Sequence, residues 1–195
     1  MSGSDEDGYG TLERSGDVST LRYERRLAFP QQRVWRALTE EAELAAWFPT
    51  TIEGARGRGA PLHFAFRQGE GESFDGEMLA FTPPSLMELR WADDVLRFEL
   101  EPVPAAASSG CILRLTVTFP EYGKSARDAA GWHVCLERLV ETCDGVAPPW
   151  QMPERWGRRP RCLRGAVRPR RLDHRAARSI TPEPDPLNVP RNASR

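Results

Sequence analysis

The chain has 195 residues, 39% of them hydrophobic and 28% charged, enough for one domain with a sizeable core plus tails. No apolar run is long enough to span a bilayer, and the acidic, glycine-rich start MSGSDEDGYG is not a signal peptide. The net charge of −1 hides an asymmetry: residues 1–152 hold 15 Lys and Arg against 24 Asp and Glu, a net of −9, whereas residues 153–178 hold 10 Arg against two acids, a net of +8. Four cysteines, Cys111, Cys135, Cys143 and Cys162, form no C-x-x-C pair, and no His lies at zinc-ligand spacing. They read as reduced thiols of a cytoplasmic protein that holds no metal or cofactor.

Residues 1–10 have the composition of a disordered acidic segment. Two strand-like runs follow, Thr11–Arg14 and Ser19–Phe29, split by the turn Ser15-Gly16-Asp17. In the second run Leu21, Tyr23, Arg25 and Leu27 share one parity and Arg22, Glu24 and Arg26 the other, the pattern of a half-buried antiparallel strand. Pro30 ends it and opens a short helix, Gln31–Leu38, with Val34, Trp35 and Leu38 on one face. Thr39 is placed to cap a second short helix. Its first turn carries Glu40 and Glu41, its inner side Leu44, Trp47 and Phe48, and Pro49 stops it. The glycines of Gly54–Gly59 fit neither common nucleotide fingerprint, so this stretch is a solvated turn rather than a phosphate cradle.

Five more strand candidates follow. Pro61–Arg67 places Leu62, Phe64 and Phe66 on one face. Phe74–Phe81 is broken off by Pro83-Pro84. Leu86–Trp91 aligns Met87, Leu89 and Trp91, and Asp93-Asp94 makes a hairpin turn. Val95–Pro102 turns Leu96, Phe98 and Leu100 inward. After the polar loop Ala105–Gly110, Cys111–Phe119 alternates Leu113, Leu115, Val117 and Phe119 with Arg114, Thr116 and Thr118. The period is two and one face is polar, so a meander sheet with one covered face is expected.

Ser125–Cys143 supplies the cover. Ala129, Trp132, Leu136, Leu139, Val140 and Cys143 recur at helical spacing, with Arg127, Glu137, Arg138 and Glu141 opposite. Ser125 and Asp128 have the spacing of a capping pair, and Gly145 stands where a left-handed stop residue belongs. Burying Trp132, Leu136, Leu139 and Val140 is worth about 2 kcal/mol each, so this helix needs the apolar sheet face. Gly131 would let the two approach closely.

Strand, two short helices, a meander and one long helix, in that order, resemble the α+β helix-grip fold of the START and birch-pollen-allergen-like superfamily, also called SRPBCC. Val34-Trp35-Arg36-Ala37-Leu38-Thr39 with Ala46-Trp47-Phe48-Pro49 looks like the helix pair of that family. Gly76-Glu77-Met78, Pro83-Pro84 and Leu89-Arg90-Trp91 look like its strand, diproline turn and strand, and Phe98-Glu99-Leu100 with Gly131-Trp132, Leu136 and Leu139 complete the likeness. It is nearest to bacterial proteins similar to the activator of heat shock protein 90 ATPase homologue family, and it covers about Thr11 to Asp144. The resemblance implies a curved antiparallel sheet of six or seven strands around the last helix, in a domain spanning residues 11–145. It also implies a cavity between them for a hydrophobic small molecule. Chaperone ATPase activation belongs to members with a further domain that is not seen here; a protein-interaction module and a cyclase- or hydrolase-type enzyme are the alternatives.

The residues themselves offer no catalytic constellation. His63 lies opposite in parity to Leu62, Phe64 and Phe66, and His133 lies beside the apolar stripe of its helix. Glu77 shares parity with Asp75, and Glu88 with Arg90, as on a solvated outer face. The expected cavity lining is Trp47, Phe48, Phe64, Phe66, Met78, Met87, Leu89, Trp91, Phe98, Leu115, Val117, Trp132 and Leu136. The same side chains, with Phe119, would equally fill a dry core.

Residues 146–195 read as a linker, Pro148-Pro149-Trp150, and an Arg/Pro-rich tail without apolar periodicity after Arg155-Trp156. Three readings of the tail remain open: a disordered native extension, a basic arm for a polyanion such as nucleic acid, and a segment in a shifted reading frame. A one-base shift turns permissive codons for Ala166-Val167-Arg168-Pro169 into Arg-Phe-Gly-Pro, text typical of family tails. The nucleotide sequence decides between these readings. A hydrophobic small molecule is the partner expected of the body, with a protein partner second and no insertion into membranes.

Overall fold

The computed structural model describes residues 10–67, 71–103, 110–146 and 167–169. The segment before Gly10, the linker, Arg155-Trp156, Cys162 and nearly all of the tail lie outside them, as does most of the Ala105–Gly110 loop. The elements run β1 (Gly10–Ser15), β2 (Val18–Leu27), α1 (Gln31–Thr39), α2 (Glu41–Trp47), β3 (Pro61–Phe64), β4 (Phe74–Thr82), β5 (Leu86–Trp91), β6 (Asp94–Val103), β7 (Gly110–Phe119), α3 (Ser125–Cys143) and β8 (Val167–Pro169).

Seven strands form one antiparallel sheet in the order β3-β4-β5-β6-β7-β2-β1, and β8 adds three residues in parallel to the outer edge of β1. The five-stranded meander β3–β7, extended by the β1–β2 hairpin beside β7, and its helices are the expected helix-grip arrangement. The sequence around β8 carries no strand signal. What joins it to the sheet is backbone: the edge of β1 presents unpaired N–H and C=O groups to any extended neighbour.

The inner parity of each strand is buried as the alternation requires. Leu21, Tyr23 and Leu27 on β2, Leu96, Phe98 and Leu100 on β6, and Leu113, Leu115, Val117 and Phe119 on β7 all lie in one core with Leu44, Trp47 and Phe48. The core face of α3 is wider than its apolar stripe, since Gly131, Cys135 and Thr142 are buried with it. Gly145 follows the helix at φ 77°, the left-handed conformation that glycine adopts without strain.

Three local expectations fail, each because another partner wins. Ser125 is already the first helical residue, and its hydroxyl donates to the Tyr122 carbonyl in the single 3-10 turn before α3 instead of capping the helix. Thr39 donates back to the Trp35 carbonyl at 2.8 Å and leaves α2 without a side-chain cap. Asp94 is the first residue of β6, not a turn residue. It lies buried on the inner parity because Lys124, just before α3, reaches it.

Both ends of α3 are pinned. At its start Lys124 Nζ donates to both Asp94 oxygens, at 2.7 and 2.8 Å, and Asp128 stands 3.8 Å from the same ammonium. At its end Arg33 of α1 pairs with Glu43 of α2 and donates to the Thr142 carbonyl at 2.6 Å, while Arg138 donates to the Ala46 carbonyl at 2.8 Å. In the second turn of α3, the buried Tyr23 hydroxyl donates to the Ala129 carbonyl at 2.7 Å.

Candidate functional site

The apolar space between sheet and α3 is organised by a ladder of aromatic rings. It starts deep, where Trp47 meets Phe98 at 6.1 Å between centroids and Phe48 at 5.3 Å. Phe48 touches Trp132 of α3 at 5.9 Å, and Trp132 touches Trp91 at 5.8 Å. From Trp91 the ladder spreads to Phe74 at 5.4 Å and Phe66 at 6.3 Å, and Phe64 stacks on Phe74 at 5.2 Å. Tilted and edge-on contacts of this kind suit the quadrupoles of the rings.

Strand register explains why the rings meet. Phe64 faces Phe74 across β3 and β4, and Gly76 faces Trp91 across β4 and β5. Gly76 cannot carry a side chain: a Cβ there would lie 2.8 Å from the Phe64 ring and 2.1 Å from the Arg90 carbonyl oxygen. Its bare backbone lets Phe64 lie between its neighbours. Beyond Pro49 the chain runs beside β3, with Thr50 opposite Phe66 and Glu53 opposite His63. Thr50 is buried, and its hydroxyl accepts from the Trp91 indole N–H at 3.4 Å.

The thirteen side chains expected from sequence fall into two groups. Trp47, Phe48, Phe64, Met78, Met87, Leu89, Phe98, Leu115, Val117, Trp132 and Leu136 are buried in the common core. Phe66 and Trp91 are half-buried and stand at its outer end. Phe74 belongs with them and was missed, although it shares strand parity with Met78. Thr50 was also missed, because it sits outside any periodic run. A second half-buried aromatic pair, Trp35 of α1 and Phe81 of β4 at 5.4 Å, closes the other end of β4. A bulge between Met78 and Ala80 brings Phe81 opposite Met87 and so onto the inner face, and strict alternation hides such a shift.

Two ionisable groups meet ladder residues: Arg67 donates to the Phe48 carbonyl at 3.1 Å, and Asp94 pairs with Trp91 across β5 and β6. His63 is exposed and bonds Asp75 at 2.7 Å. His133 stands 3.4 Å from Arg25 and 3.2 Å from Glu137. Glu88 accepts from Arg97 at 2.8 Å on the outer sheet face. Burial pushes the Cys143 thiol up to about 11 and raises Cys111 and Cys135 as well, which makes poor nucleophiles of them. Among the described residues no group of three His, Cys, Asp or Glu side chains is placed to hold a metal ion. No described helix is long and apolar enough to cross a membrane.

A seven-stranded antiparallel sheet gripping a C-terminal helix, with two short helices after the first hairpin, defines a START-like protein. Residues 28–144 match the family described as "Activator of Hsp90 ATPase homolog 1-like protein", and the chain belongs to that family. Among solved structures it is similar to a conserved protein of unknown function from Enterococcus faecalis, at 21% identity and a TM-score of 0.61 over 74% of this chain and 82% of that one. It is similar also to CalU16 from Micromonospora echinospora, at 19% identity and a TM-score of 0.55 over 69% and 83% of the two chains. A protein from Nitrosomonas europaea matches at 21% identity and a TM-score of 0.54 over 68% and 97%. At these identities the likeness is one of fold. A comparison with curated proteins gave no match.

Proposed function

We propose that the domain binds a small hydrophobic molecule between the sheet and α3, entering where the ring ladder reaches the surface. One observation carries this reading: the ladder is continuous from fully buried Trp47 to half-buried Trp91, Phe66 and Phe74. Half-buried rings at the end of an apolar core are surface that a ligand removes from water, at about 25 cal/mol per Å². The exposed large apolar side chains among the described residues are three, Val18, Tyr122 and Val146. A chaperone-binding module would instead want a contiguous patch. Unpaired, buried Cys111, Cys135 and Cys143 suit a reducing compartment, and we place the protein in the cytoplasm on that ground.

Native mass spectrometry of the protein purified from its own host tests the proposal. A bound mass of a few hundred daltons that is lost on denaturation is the expected result. A protein that is empty under gentle conditions, and that also leaves a hydrophobic fluorescent probe free in solution, would sink it.

A further inference from the structure

Arg67, next to Phe66 at the outer end of the ladder, holds an incomplete set of hydrogen bonds. Its Nε donates to the Phe48 carbonyl at 3.1 Å, and Nη1 donates to Glu41 Oε1 at 3.0 Å. Nη2 is shielded from solvent and has no hydrogen-bond partner among the described residues. The side chain as a whole is 14% exposed, whereas that of Glu41 is 55% exposed. A buried guanidinium N–H without an acceptor is costly, and a guanidinium fork is matched best by a carboxylate that takes two nitrogens at once. Glu41 takes one. Arg56 donates to the Ile52 carbonyl at 3.1 Å.

We infer that the ligand is an amphiphile with an acidic head. Its carboxylate takes Nη1 and Nη2 of Arg67 in place of the exposed Glu41, and its apolar body lies along Phe66 and Trp91. This rests on the ligand-binding reading above and adds the chemistry of the head group. The Phe48 carbonyl holds the guanidinium through Nε, and the Phe48 ring contacts Trp132 in the ladder.

The test is a fluorescence titration with dansyl-labelled undecanoic acid and with its methyl ester. The acid is expected to bind the wild-type protein about tenfold more tightly than the ester, the effect of one or two charge-assisted hydrogen bonds. Arg67→Gln removes that preference and leaves ester binding in place. Glu41→Gln, an exposed change that the fold tolerates, widens the preference by removing the competing carboxylate. Equal binding of acid and ester, or a preference that survives Arg67→Gln or narrows with Glu41→Gln, overturns the acidic head and leaves the apolar site standing. Binding of neither probe overturns both.

Discussion

The two halves of the ring ladder use the same residue types for different ends. At the inner end Trp47 and Phe98 are 0% exposed, and the Trp47 indole N–H donates to the Ala37 carbonyl at 2.8 Å. Helices α1, α2 and the end of α3 are tied together around them by Arg33, Glu43 and Arg138. At the outer end Phe66, Phe74 and Trp91 are only half-buried, and the Trp91 indole makes a longer bond, 3.4 Å, to Thr50. The inner rings have every contact they need from the protein. The outer rings still have apolar surface to bury, which is the condition for exchanging water for a ligand.

That contrast is open to measurement. Trp47→Ala should be the most damaging ring substitution, costing about 3–5 kcal/mol by denaturant unfolding, because it leaves a large cavity and orphans the Ala37 carbonyl. Lys124→Ala comes next, at about 3 kcal/mol, since it strands a buried Asp94 carboxylate at the start of α3. Trp91→Ala should cost about 1–2 kcal/mol, in keeping with partial burial, while weakening hydrophobic probe binding more than Trp47→Phe does. If Trp91→Ala proves as destabilising as Trp47→Ala, the outer ring is core and the division between the two ends fails.

Much of this layout was legible in the sequence, for a physical reason. Strand faces repeat every two residues and the face of α3 every three or four, so Leu96, Phe98 and Leu100, or Trp132, Leu136 and Leu139, declare their side without help. The grouping of inner and outer rings was not legible, because alternation tells which face Trp91 is on but not how near it lies to the sheet's end. Phe81 was hidden by the bulge before Ala80. Asp94 reads as a turn residue because aspartate favours turns, and only the folded chain brings Lys124 to it. Ser125 and Thr39 misled for the same reason: each found a nearby carbonyl to bond instead of capping its helix.

The smallest predicted effect asks which force governs the buried charges beside the outer end. Asp94 is the strand partner of Trp91. Burial pushes its carboxyl above the ordinary 3.8, while the Lys124 ammonium pulls it down and Asp128 and Asp93 push it up. Asp128 is raised too, again mainly by burial, against Arg127 and Lys124. A carboxyl raised in the folded state binds more protons there than in the unfolded chain. Its contribution to stability is therefore complete below 3.8, is lost as pH rises through the raised value, and is flat above it. Urea midpoints of the wild type and of Asp94→Asn across about pH 4 to 7 should give a stability difference that shifts against the wild type as pH rises, then levels off. Burial then outweighs the attraction of Lys124 at 2.7 Å. A difference that instead moves in favour of the wild type with rising pH would mean that the ion pair wins, and that Asp94 and Lys124 hold α3 to the β5–β6 hairpin by charge rather than despite it.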